Sequence, residues 1–169
     1  MAALSLIMSA LTVQAAPTRI VAPQTNITVP GSYVLANDIS GSYGIEISVS
    51  DVTLDLNGHT ITAQETFGVA VDQSVLNAHV SNGHIVAGEQ GVLILGSSCL
   101  FNELNIKIIG PYAPIVISYG SFNRVQNCVL SATGQAFAAF SLYLTSHNTI
   151  QNNTLAGVFA DTILGLKEA

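Results

Sequence analysis

Two stretches decide the fold: FNRVQNCVL at residues 122–130 and HNTIQNNTL at residues 147–155. Laid over one another they set Val125 on Ile150, Asn127 on Asn152 and Leu130 on Leu155. Working back toward the N-terminus, an apolar residue followed five positions later by another recurs as Leu56/Ile61, Val80/Ile85 and Leu104/Ile109, with successive spacings of 24, 24, 21 and 25 residues. A second set of alternating apolar pairs, Ile45/Ile47, Val69/Val71, Val92/Ile94, Ile115/Ile117 and Phe140/Leu142, keeps the same period. Repetition of this length means stacked units, none of which buries its apolar face until a neighbour covers it.

Period-2 alternation in VTLDL (52–56) and IEI (45–47) makes the units strands, and no window in the repeats carries a helical stripe. A leucine-rich repeat shares the period, and LDLNGHTI (54–61) loosely imitates its consensus, but the following units do not maintain it. The expected fold is an all-β, single-stranded, right-handed parallel β-helix of about five coils of 21–25 residues. Asparagine supports this, because a stacked bend needs a left-handed backbone that Asn tolerates. Asn82, Asn127 and Asn152 form one candidate ladder, and Asn102, Asn123 and Asn148 a second. Cys99 and Cys128 fall on different columns of this register, which predicts two free thiols.

ITVPGSYVLANDI (27–39), GIEIS (44–48) and VTLDLNGHTI (52–61), together with the two opening stretches, resemble right-handed β-helix repeat proteins. The likeness runs over residues 27–155 and is to the pectin-lyase-like superfamily, with NosD-like periplasmic and carbohydrate-associated repeats. It implies the fold, and fold alone does not choose an activity. The polygalacturonase-like motifs are missing: the chain has no adjacent Asp pair, no Gly-His-Gly and no Arg-Ile-Lys. Nor does it show the calcium-carboxylate cluster with a nearby base that pectate-lyase-like sites imply. The units also run close to minimal length, with the longest insertion near Ser131 to Ala138, so no long loops wall a groove.

Only 8% of the 169 residues are charged and 49% are hydrophobic, against about 25% charged in an average soluble protein. No apolar run reaches the roughly 20 residues that span a bilayer. A net charge of −6, with only Arg19, Lys107, Arg124 and Lys167 as cations, excludes a nucleic-acid track. AALSLIMSALTVQAA (2–16) is a short apolar run ending in small residues, and reads as a secretory signal cut after Ala15. The expected organisation is therefore a signal over 1–15, an N-terminal segment and cap over 16–40, and β-helix repeats over 41–169. The destination is secreted or periplasmic.

Neighbours of inward residues point outward, so the exterior is read as columns. Beside the anchors stand Asp55, His79, Glu103 and Arg124 in one column, Asn105 and Gln126 in another, and Phe101 and Phe122 in a third. Carboxylates, amides, a guanidinium and aromatic faces are the ingredients of saccharide recognition, and these eight are the expected binding residues. As metal ligands Asp55, His79 and Glu103 would be fanned apart by the strand spacing, so no metal and no cofactor is expected. The other strand face places Glu46, Ala70, Leu93, Val116 and Ser141 in one column and Ser48, Asp72, Leu95, Ser118 and Tyr143 in the next. Glu46 and Asp72 sit diagonally on adjacent coils, roughly 8 Å apart at their β-carbons, and are the weak catalytic candidates.

After Leu155 the next strand is expected near Ile163, leaving an open last coil that invites edge pairing with a second copy or continuation into a longer β-helix. Three functions follow. The first is an exported, non-catalytic module binding polysaccharide or a cell-envelope component. The alternatives are a polysaccharide lyase or glycoside hydrolase, degenerate or truncated, and a NosD-like periplasmic accessory protein.

Overall fold

The computed structural model describes residues 15–166, and the segment read as an export signal lies outside these but for its last residues. Two short strands come first among the described residues, β1 (Thr18–Ile20) and β2 (Thr25–Ile27). Three per coil follow: β3 (Gly31–Leu35), β4 (Ile39–Gly41) and β5 (Ile45–Ile47), then β6 (Val52–Asp55), β7 (Thr60–Ala63) and β8 (Phe67–Val71). Higher up, strands run on around a corner: β9 (His79–Ala87) with β10 (Gln90–Ile94), β11 (Leu100–Ile108) with β12 (Ile115–Ser118), β13 (Arg124–Gln126) with β14 (Val129–Tyr143), and β15 (Thr149–Gln151) with β16 (Thr154–Leu166).

Among the described residues every strand pairing is parallel, and the strands join in one 16-stranded sheet wound into a parallel β-helix. Three faces result. The first runs β1, β3, β6, β9, β11, β13, β15. The second runs from β4 through β7 and the far halves of β9 and β11 to β14 and β16. The third runs β2, β5, β8, β10, β12 and the ends of β14 and β16. The N-terminal segment is thus drawn into the stack, since β3 and β4 pair with the strands of the coil above.

The third-face columns follow the sequence register: Ile45, Val69, Val92, Ile115 and Phe140 stack, with Ile47, Val71, Ile94, Ile117 and Leu142 beside them. Ile163 continues the first of these on β16. The first face corrects it. The paired column is Leu54, Val80, Phe101, Val125 and Ile150, not one through Leu56 and Leu104. In VTLDL, Val52, Leu54 and Leu56 all point inward and are all buried, so alternation alone does not say which of them meets the neighbouring coil. On the second face Ile106, not Ile109, aligns with Ile85 and Leu130, and Ile109 is exposed.

Two corners carry left-handed residues. Between the first and second faces stand Asn57, Asn82, Glu103, Asn127 and Asn152, with φ of 51 to 61°. Between the third and first stand Asp51, Asn77, Ser98, Phe122 and His147, with φ of 55 to 60°. A side chain costs roughly 1–2 kcal/mol in this region, least for Asn and Asp, which is why amides dominate the first corner. At the third corner Gly44 and Gly68 are required by contact: a Cβ on Gly44 would meet the Gly68 carbonyl oxygen of the next coil, and one on Gly68 would meet Ile85 Cγ2. Cys99 and Cys128 are both buried and free, on separate columns. At the top, among the described residues, β15 pairs with β13 and β16 with β14 and with no further strand, and Leu155 and Ile163 are partly exposed.

Candidate functional site

The outward side chains of the first face form two columns. Thr53, His79, Leu100, Arg124 and Thr149 make one, and Asp55, Ser81, Asn102, Gln126 and Gln151 the other. The second is knitted by side-chain amides across coils. Gln126 Nε2 donates to Asn102 Oδ1 at 3.1 Å, and Gln151 Nε2 donates to Gln126 Oε1 at 2.9 Å. Asn127 Nδ2 gives a second bond to Asn102 Oδ1 at 2.8 Å, and Asn102 Nδ2 donates to Glu103 Oε1 at 2.8 Å. Lower down, Asp55 Oδ1 accepts the Asn57 N–H at 2.7 Å and Asn82 Nδ2 at 3.0 Å. Strand spacing of about 4.8 Å is what lets one planar amide reach the next. The result is a partly exposed array of oriented donors and acceptors.

Of the eight expected binding residues, Asp55, His79, Arg124 and Gln126 lie on this face, though not in a single line of alternating charge. Glu103 occupies the left-handed corner instead of a strand column, because its φ of 55° breaks the alternation and turns both Phe101 and Leu104 inward. There Glu103 and Asn105 line a shallow cleft of about 330 Å³ with Asn82, His84, Asn127 and Val129. Phe101 is the clear correction: it is fully buried in the core column between Val80 and Val125. It therefore cannot stack with Phe122. Phe122 is exposed, and its ring lies parallel to that of His147, 4.8 Å away at 14°. His79 is half-buried, and its Nε2 has no partner.

On the third face the column Glu46, Ala70, Leu93, Val116, Ser141 stands as the sequence spacing has it. Asp72 stands on the next coil, diagonal to Glu46. The Glu46 carboxyl titrates above the ordinary glutamate range, first because it is partly withdrawn from water and then because of the Asp72 charge. Leu93, Leu95 and Val116 are half-buried on this surface. The described N-terminal segment pairs only at the bottom of the stack.

Sequence reasoning placed Tyr143 on this face but passed over the other aromatic residues that border it. Tyr112 and Phe137 meet edge to face, 6.5 Å apart at 82°, on one border. Tyr119 and Tyr143 do the same at 5.5 Å and 90° on the other. Beside Tyr112 and Phe137 opens a cleft of about 340 Å³ floored by Ala113, Ala138 and Val116 and edged by Gln90, Ser141, Asp161 and Leu164. The signal that could have found these pairs is the repeat itself, since each joins two aromatic residues one period apart.

Among the described residues no three His, Cys, Asp or Glu side chains gather to hold a metal ion, and no helix is long and apolar enough to cross a membrane. The chain is a parallel β-helix with one amide-lined face and one aromatic, acidic face. No family model, no curated protein and no solved structure matches it.

Proposed function

We propose that the chain is an exported, non-catalytic β-helix module that binds polysaccharide through its first face. The observation that carries this reading is the cross-coil amide array of Asn102, Gln126 and Gln151 on the first face, with the exposed Phe122–His147 stack at the corner that borders it. Oriented amides suit sugar hydroxyls, and a flat aromatic surface suits the apolar face of a pyranose ring. Arg124 and Glu103 flank the array. The likeness of residues 27–155 to pectin-lyase-like and NosD-like repeats supports a carbohydrate or envelope setting, and the apolar run ending at Ala15 supports export.

The test is a glycan array on the chain from Ala16 onward, with polyuronates included and product ultraviolet absorbance followed. Retention that is lost on Arg124→Ala, Glu103→Gln or Phe122→Ala, with no new absorbance, is the expected result. Retention that survives all three changes overturns the site.

A polysaccharide lyase or glycosidase is the second reading, favoured by the adjacent Glu46 and Asp72 carboxyls and the raised affinity of Glu46 for its proton. It calls for unsaturated or shortened product that disappears on Glu46→Gln or Asp72→Asn with the fold intact.

A further inference from the structure

We propose that the cleft beside Tyr112 and Phe137 on the third face binds a cationic sugar, an oligosaccharide of amino sugars carrying free ammonium groups. The cleft lies on a different face from the amide array and does not depend on it. Two features of its lining define the ligand. Tyr112 and Phe137 present aromatic walls above an apolar floor of Ala113 and Ala138, while Gln90, Ser141 and Asp161 supply hydrogen-bonding groups. Such a lining takes a ring with apolar faces and polar edges.

Charge then selects the kind of ring. The third face and the turns beside it carry Glu46, Glu65, Asp72, Glu89 and Asp161. The described cations are elsewhere: Arg19 and Arg124 are on the first face and Lys107 on the second. A uronate entering the cleft would meet the Asp161 carboxylate, with no cation among the described residues that line it. An ammonium group would gain the Asp161 carboxylate and the electron-rich ring faces of Tyr112 and Phe137. Glu46 stands in the same column as Val116, three coils below, or about 14 Å at the usual strand spacing. An oligomer of about three rings therefore reaches from the cleft to the Glu46–Asp72 pair, whose mutual repulsion a second ammonium group relieves.

The test is calorimetric titration of the described chain with fully deacetylated glucosamine oligomers, their N-acetylated counterparts, galacturonate oligomers and spermidine. The deacetylated oligomer is expected to bind at least about tenfold tighter than the other three and to weaken as salt screens the site. Asp161→Asn and Phe137→Ala should each reduce its affinity by about five- to tenfold. Both positions are exposed, so the fold should survive, as a melting curve would show. Lys107→Gln, on the second face, is the control and should leave it unchanged.

Equal binding of the N-acetylated or uronate oligomer removes the charge selection, and equal binding of spermidine removes the ring; either overturns the proposal, as does indifference to Asp161→Asn. If glycan retention depends on Arg124 and Phe122 but not on Asp161, this site falls while the first-face reading stands.

Discussion

Asn123 ties the Cys99 coil to its own through one buried side chain: its Oδ1 accepts the Cys99 N–H at 2.8 Å while its Nδ2 donates to the Gly96 carbonyl at 3.0 Å. Asn148 repeats the arrangement one coil up, accepting the Asn123 N–H at 2.8 Å and donating to the Gly120 carbonyl at 3.3 Å. Asn123→Ala would leave a buried donor and a buried acceptor without partners. It should cost about 2–4 kcal/mol in a urea unfolding experiment. Asn148→Ala, at a half-buried position nearer the end of the stack, should cost less.

The two phenylalanines expected to act together should separate completely. Phe101→Ala opens a hole in the first-face core column and should lower stability by about 3–5 kcal/mol. Phe122→Ala touches an exposed ring and should leave the melting temperature nearly unchanged while weakening glycan retention. Thermal melts and the array read the two effects separately.

Glu103 is a glutamate where its corner neighbours are asparagines, at a φ of 55°. Replacing it by Asn lowers the backbone cost and keeps a polar group at the corner. Glu103→Asn should therefore stabilise by about 0.5–1 kcal/mol, seen as a small rise in the melting temperature. If stability falls instead, the bond from Asn102 outweighs the backbone term.

Two carboxyls should give opposite pH dependences. Glu46 is raised, by its partial withdrawal from water and then by Asp72, so the folded state binds its proton more readily than the unfolded chain does. Its contribution is present below the ordinary glutamate range and is lost as pH rises through the folded value. Glu46→Gln should remove that loss and raise stability at neutral pH. Asp38 is lowered, first by the Thr60 N–H and then by His59, whose Nδ1 lies 3.2 Å away. Its contribution is present above the ordinary aspartate range and is lost as pH falls through the folded value. Asp38→Asn should flatten the acid limb of the stability profile, and melting curves across pH distinguish the pair.

Cys99 and Cys128 are buried, and burial pushes both thiols up. Neither should react with a thiol reagent in the folded protein, and both should react once it is denatured. Labelling followed by mass spectrometry measures this directly.

How much of this was legible in the sequence depends on how many residues compete for each inward position. The third face was read correctly because its two apolar columns keep the same alternation and period in every unit, and in IEI, VAV and FSL a polar or small residue between them leaves a single register. The first face was misread at VTLDL, where three alternating apolar residues all reach the core. It was misread again at FNEL (101–104), where a left-handed glutamate puts two inward residues three apart. Asn82, Asn127 and Asn152 were visible as a ladder because their shared side chain betrays a shared backbone. Glu103 hid in the same column because its side chain does not. The cleft at Tyr112 and Phe137 was invisible for a different reason. Tyr112 stands in the turn between β11 and β12 and Phe137 in the irregular part of β14, so their meeting follows only from the completed stack.

The pairing of β14 with β16 slips between Ser131 and Gln135, and Gly134 within the slip has open space where a side chain would stand. Extra chain is already accommodated there: the core columns on both sides, Leu130 with Leu155 and Phe140 with Ile163, remain aligned. Chain length and register are therefore uncoupled in this coil, while lower down the same corner Gly44 and Gly68 admit not even a methyl group. A guest peptide spliced in after Gly134 would hang from the side of the solenoid with both ends held by continuous sheet. The molecule thus has a built-in mounting point for an epitope or reporter, away from the amide array of the first face.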